Sequence, residues 1–248
     1  MAEELYWLKR PIAHRGLHDA AKGIVENSAS SVRAAMGAGL AVEVDLQCAL
    51  DHMPVVFHDA TLDRLTSETG PVAARDAEAL SRIPLRNSAD CILSLPALLA
   101  LVNGHVPLLL EVKSTWARDG KFEANIAKML EAYPGPVAVM SFDPYALAAF
   151  RQVAPQLPRG LVAERFDDQH HWPQLTVWQR LAMRNLLTSA IARPHFIAYD
   201  IRALPALAPL IAWGLFGLPL ITWTVRTKEE RERALRYADA MIFEGIVP

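Results

Sequence analysis

The chain runs to 248 residues, enough to bury roughly 70–75% of its unfolded surface without help from disulfides. Its 25 Lys and Arg against 27 Asp and Glu leave a net charge of −2, which argues against nucleic acid or another polyanion as partner. A hydrophobic content of 52% argues against disorder. The two cysteines, Cys48 and Cys91, are too few for a disulfide framework and read as structural thiols among apolar neighbours. No apolar run of signal-peptide length opens the sequence, so the cytoplasm is the expected compartment.

In chain order, short apolar runs alternate with longer amphipathic ones. Strands are expected at Pro11–His14, Ala41–Gln47, Pro107–Val112, Pro136–Ser141, Arg159–Ala163, Phe196–Asp200, Pro219–Thr224 and Ala240–Glu244. Helices are expected near Asn27–Ala38, Leu95–Val102, Lys121–Tyr133, Tyr145–Ala154, Val177–Ala190, Ala203–Trp213 and Thr227–Tyr237. Asp143-Pro144 and Thr227-Lys-Glu-Glu look like helix starts, a capping side chain followed by Pro or early acids. Strands alternating with helices imply parallel units, and eight such strands in this length imply a (β/α)8 TIM barrel, one domain over 1–248. From Ala203 to Val225 no residue is charged, yet Pro205, Pro209, Gly214, Gly217 and Pro219 divide that stretch into a short buried helix, a turn and a strand. No stable membrane insertion is expected from it. Oligomeric state is not legible.

A ninth run, Pro54–His58, follows the second strand too closely for a parallel crossover. It should turn back as an antiparallel hairpin about Leu50-Asp51-His52, with a centre near residue 50 or 51 that sets His58 beside Glu43. The stretch from Thr61 to Ala89 has no strong periodicity. Residues 59–90 are therefore read as a short insertion after the second strand that caps one side of the barrel mouth.

In a barrel, catalytic groups stand at the carboxyl ends of strands. His14-Arg15-Gly16 ends the first strand there. Glu43 and Asp45, two apart on the second, share a face, as do Glu111 and Lys113 on the third. Any one of these has an ordinary structural reading. Three carboxylates on adjacent strands do not, because like charges converging on one mouth repel unless something offsets them. Hard oxygen ligands suit Mg2+ or Ca2+, with one such ion on Glu43, Asp45 and Glu111. Arg15 and Lys113 give a cationic rim for a phosphate. His14 and His58 can move protons to a leaving oxygen and from an attacking one. Together these describe phosphoester cleavage.

Ile-Ala-His14-Arg15-Gly16, Glu26-Asn27-Ser28, Glu43-Val44-Asp45, Phe57-His58-Asp59, Glu111-Val112-Lys113, Ser141-Phe142-Asp143-Pro144 and Trp223-Thr224-Val225 follow in the order seen in the glycerophosphodiester phosphodiesterase family, which the chain resembles over nearly its whole length. The resemblance implies a TIM-like barrel and metal-dependent cleavage of a small-molecule glycerophosphodiester to sn-glycerol 3-phosphate and an alcohol. It implies Glu43, Asp45 and Glu111 as metal ligands and His14 and His58 as the acid–base pair. Arg15 and Lys113 would hold the phosphate, with Trp223 and Phe142 against the glycerol carbons. The nucleophile is either water or the glycerol 2-hydroxyl.

Some residues depart from the family pattern. Val25 replaces a usual Pro and Ser28 a usual Thr. Arg226 stands where Asn is usual and Glu244 where Asp is. By adding positive charge at the mouth, Arg226 would favour an anionic alcohol moiety, such as a glycerophosphoinositol or glycerophosphoglycerol; the alternative is a solvated Arg just before a helix. Residues 165–172, after the fifth strand, are expected to contribute to specificity. Other readings are a lysophospholipase D-like enzyme on acylated diesters, a phosphomonoesterase using the same metal, and a catalytically silent barrel that binds phosphorylated ligands.

Overall fold

The computed structural model describes residues 5–170, 172–246 and 248. Its strands are β1 (Ile12–Ala13), β2 (Ala41–Cys48), β3 (Pro54–Val56), β4 (Leu93–Ser94), β5 (Leu108–Val112), β6 (Val137–Ser141), β7 (Arg159–Ala163), β8 (Phe196–Asp200), β9 (Leu220–Val225) and β10 (Ala240–Phe243). The helices are α1 (Ala29–Gly37), α2 (Ala77–Leu80), α3 (Leu95–Val102), α4 (Lys121–Leu130), α5 (Pro144–Val153), α6 (Val177–Arg184), α7 (Ser189–Ala192), α8 (Leu207–Gly214) and α9 (Lys228–Tyr237). Neighbouring parallel strands run β1-β2-β5-β6-β7-β8-β9-β10. The ring closes because Ile12 of β1 pairs with both Ala41 of β2 and Ile242 of β10. This is the expected (β/α)8 barrel.

Alternation along each strand builds two cores. Val42, Val44 and Leu46 of β2, like Leu108, Leu110 and Val112 of β5, face outward into the layer beneath the helices. Ala41, Leu109, Ala138, Val162, Phe196, Ile221 and Ile242 face inward, packing with Trp7 and Leu8 from a 3-10 turn at Tyr6–Lys9. Each fully buried large apolar side chain contributes about 1.5–3 kcal/mol. Phe196 fits inside because its partner across the β7–β8 register is Gly160, where a Cβ would lie 2.0 Å from the ring.

Local signals fix the helix starts. Ser28 caps α1 and Thr227 caps α9, each as a reciprocal capping box, with Ser31 and with Glu230 respectively. Asp143 caps α5 with Pro144 at its first turn. The run expected as one helix over 177–190 is instead α6 and α7. Leu186 between them takes a left-handed φ of 57°, which interrupts the helical backbone while its side chain stays buried with Met183 in the outer core. The uncharged stretch resolves into α8 and β9, as expected. Among the described residues no helix is long and apolar enough to cross a membrane.

The hairpin is present, with Leu46 opposite Val56 and Cys48 opposite Pro54, a register centred on residue 51. Its ladder ends at Val56, and the Phe57 N–H bonds the Asp45 carbonyl at 3.0 Å. Continued by one residue, that register aligns His58 with Val44 and not with Glu43. The following excursion has its own small core, in which Val55 and Phe57 pack with Leu62, Val72, Leu80, Ile83, Leu85 and Ile92. It returns through β4, which pairs antiparallel with β3 and had no counterpart among the expected strands. Cys48 is buried and Cys91 half-buried, both as free thiols.

Candidate active site

The inward-facing rows change character along the strands. Ile12 is followed by His14, Ala41 by Glu43 and Asp45, and Leu109 by Glu111 and Lys113. Ile221 is followed by Trp223, and Ile242 by Glu244. The lower interior is thus apolar, and the carboxyl ends of the strands open into a cleft of about 690 Å³. His14, Arg15, His58, Glu111, Lys113, Phe142 and Trp223 all line it. Glu43 and Asp45 form its buried floor.

The turn after β1 is set by Arg15 (φ 54°) and Gly16 (φ 77°). A Cβ at Gly16 would lie 2.5 Å from Ser31 Oγ and 2.7 Å from the Ser31 carbonyl carbon, so only glycine lets α1 approach so closely. That approach brings Arg15 onto three acids. Its N–H donates to Glu43 Oε2 at 2.9 Å, and its guanidinium lies 2.7 Å from Glu26 Oε1 and 3.2 Å from Asp45 Oδ2. Asn27 clamps Asp45 from both sides, donating to Oδ2 at 2.9 Å and accepting from the Asp45 N–H at 3.1 Å. Lys113 Nζ sits 2.8 Å from Asp45 Oδ1 and also contacts Glu111.

The three inward carboxylates differ electrically. Burial, then the charges of Asp45 and Glu111, push the Glu43 carboxyl well above the usual carboxylate range. Burial also works to raise Asp45, but Lys113 and Arg15 outweigh it and hold that group ionised far below its ordinary value. Lys113 is likewise held above its usual range by Asp45 and Glu111, against the effect of burial. Oxygens of Glu43, Asp45 and Glu111 come within 4.8 Å of one another, and Glu43 Oε1 is buried with no hydrogen-bond partner. An acceptor left so is costly unless a cation meets it. This all-oxygen donor set fits a hard divalent ion.

Each histidine is tied through Nδ1. His14 Nδ1 lies 2.9 Å from Glu244 Oε2 and His58 Nδ1 lies 2.7 Å from Asp59 Oδ1. Such bonds fix the tautomer and leave Nε2 for the cleft. Burial lowers the pKa of His14, with Glu244 acting the other way, and that hydrogen bond in turn holds Glu244 at about 2. Asp59 is itself gripped by Arg64, which also bonds Glu26. Phe142 meets Trp223 edge-on at 5.6 Å and Trp172 at 4.9 Å, forming an aromatic wall.

All nine residues singled out from sequence therefore converge on one cleft or its floor. Glu244, Asp59, Asn27 and Arg64 were given no role, yet they hold the others in place. Glu244 had a readable signal, since it falls two residues beyond Ile242 on the inward row of β10. Glu164 and Arg202 also line the cleft. Arg226 lines the cleft as well, with its Nη2 2.9 Å from Glu244 Oε2. The two departures from the family pattern are thus partners. Within residues 165–172, His171 lies outside the described residues, while Trp172 lines the cleft and donates its indole N–H to Glu164 at 2.6 Å.

The sequence pattern of the glycerophosphoryl diester phosphodiesterase family matches residues 14–246. The chain belongs to that family. Membership makes it a phosphoric diester hydrolase, as the chemistry of the cleft also suits. A glycerophosphodiester phosphodiesterase of Caldanaerobacter subterraneus subsp. tengcongensis is 27% identical over 235 residues, covering 91% of this chain and 89% of that one. Glycerophosphodiester phosphodiesterase 1 of Bos taurus is 26% identical over 258 residues, covering 89% and 72%. Among solved structures, an Oleispira antarctica phosphodiesterase in complex with the product sn-glycerol-3-phosphate superimposes with a TM-score of 0.78 at 19% identity, over 97% of this chain and 94% of that one.

Proposed function

We propose that this family member hydrolyses glycerophosphodiesters to sn-glycerol 3-phosphate and an alcohol. The observation that carries the reading is the pairing, in one cleft, of three inward carboxylates with two histidines whose Nδ1 atoms are each anchored on an acid. Glu43, Asp45 and Glu111 would hold one Mg2+ or Ca2+ ion. When bound, that ion would neutralise the phosphoryl oxygens and draw electron density from phosphorus.

This chain's own groups do the rest. Arg15 and Lys113 bind the phosphate, so both trade part of their contact with Asp45 for the substrate. Phe142 and Trp223 pack against the glycerol carbons and exclude water from that side. His14, kept neutral by burial, accepts the proton of the attacking hydroxyl at Nε2, whether that hydroxyl is water or the glycerol 2-hydroxyl. His58 delivers a proton to the leaving oxygen. In this account 1–248 works as one unit, with residues 59–90 supplying Asp59 and Arg64 to orient His58 and Glu26.

A coupled assay of glycerol 3-phosphate release from glycerophosphocholine, with Mg2+, Ca2+ or EDTA, tests this. Activity should need a divalent ion and fall by roughly 10²–10⁴-fold in His14→Ala and in His58→Ala. Inactivity of the wild type with every ion, on choline, ethanolamine, glycerol and inositol diesters alike, would overturn it in favour of an acylated substrate or a binding protein.

A further inference from the structure

We propose that His14, His18 and Glu244 form a second metal site, which takes a borderline transition ion such as Zn2+ and shuts the enzyme off by withdrawing His14. Ring nitrogens of the two histidines and a carboxylate oxygen of Glu244 lie within 4.8 Å of one another. His18 is not among the cleft-lining residues and has no part in the proposed reaction. Its Nε2 is nevertheless buried without a hydrogen-bond partner, 3.9 Å from Glu244 Oε1.

The Glu244 carboxylate is divided between two tasks. Its Oε2 meets His14 Nδ1 and Arg226 Nη2, each at 2.9 Å, while Oε1 is turned toward His18. A cation on the Oε1 side therefore leaves the Arg226 contact in place. Zinc bonds of ~2.0–2.2 Å draw ligand atoms to roughly 3.5 Å apart, a closure within reach of side-chain rotation. Two imidazoles and one carboxylate prefer such an ion over Mg2+ or Ca2+, whereas the all-oxygen set of Glu43, Asp45 and Glu111 has the opposite preference. Two clusters in one mouth would thus sort ions by ligand type. Arg226 and Arg15 oppose the added charge and weaken the binding.

The loss of activity follows from proton placement. In the resting enzyme the single hydrogen of neutral His14 lies on Nδ1, toward Glu244, and Nε2 has a lone pair for the cleft. An ion bound at Nδ1 moves that hydrogen to Nε2, with no net proton released. Nε2 then cannot accept a proton from the nucleophile. This shut-off rests on the role proposed above for His14. The site itself does not.

Calorimetric titration of the full chain with Zn2+ in large excess Mg2+ tests the site directly. One Zn2+ per chain should bind, and inhibition of glycerophosphocholine cleavage should follow the same curve. In His18→Gln the Zn2+ affinity should fall at least about tenfold and inhibition should fade in parallel, while turnover without Zn2+ stays within about twofold. Equal Zn2+ affinity in the variant, or no Zn2+ binding by wild type, would overturn the site. Co2+ gives a readout on the wild type alone: an intense visible band marks the four- or five-coordinate geometry expected of this site, and only the weak band of an octahedral, all-oxygen site would contradict it. Since binding is read by heat and absorbance, an enzyme inactive on every diester would sink the functional reading and leave this one standing.

Discussion

The lower and upper halves of the barrel interior are built from the same strands with the same alternation, and they do opposite things. Below, Leu109, Phe196, Ile221 and Ile242 pack around Trp7 and Leu8 with no charged side chain among them. Above, two residues further along, Glu43 follows Ala41, Glu111 follows Leu109, Trp223 follows Ile221 and Glu244 follows Ile242; Glu111 and Glu244 each meet a basic side chain, and Glu43 accepts the Arg15 backbone N–H. Only the lower half gains stability simply from being buried. The upper half keeps acids close together that repel one another, an arrangement that makes sense for the ion and phosphate it is proposed to bind. Stability and chemistry are thus separated along a strand by about two residues.

The largest effect expected from breaking that division lies below. Phe196→Ala should cost about 3–5 kcal/mol of unfolding free energy by denaturant titration, while turnover per folded molecule changes little. A loss of turnover larger than the folded fraction explains would mean that the two halves are coupled.

A smaller effect is expected above. Glu244→Gln should lower stability by roughly 1 kcal/mol at neutral pH, the worth of charge-assisted bonds discounted for partial exposure. The folded-state pKa of Glu244 is depressed to about 2, so its contribution is complete above the ordinary glutamate value and disappears as pH falls toward 2. Wild-type and variant stabilities should therefore converge in acid. A gap that persists at pH 2 would show that the effect comes from packing. The smallest change is in the outer ring of helices: Thr227→Ala removes the capping box of α9 and should cost about 0.5–1 kcal/mol in thermal unfolding, with kcat unchanged.

The same division explains what could be read from sequence. Eight strands and the cluster His14, Glu43, Asp45, Glu111 and Lys113 were legible, because strand alternation projects directly onto the barrel interior. The short loop after the second strand added His58, and the family's ordered motifs added Trp223 and Phe142. The excursion after β3 was not legible in detail, since its core is assembled from short turns and isolated bridges with no period. The break between α6 and α7 falls at the left-handed backbone of Leu186, and because Leu186 keeps the helical spacing from Met183 the apolar pattern does not announce it. Partners such as Glu244 on His14 and Arg226 on Glu244 join residues whose pairing no local pattern announces, so the ion pair of Arg226 was not legible.

The central claim is that the upper half is specialised for divalent-ion phosphodiester cleavage and not for holding the fold together. Glu43→Gln tests it most directly, with glycerol 3-phosphate release at saturating Mg2+ and the unfolding midpoint measured on the same sample. The account predicts at least a ~10²-fold loss of turnover together with a midpoint, without divalent ion, that is unchanged or raised by the equivalent of about 1 kcal/mol, because a buried carboxyl that resists ionisation has been neutralised. Turnover within a few-fold of wild type, or a protein that unfolds more readily, would contradict it.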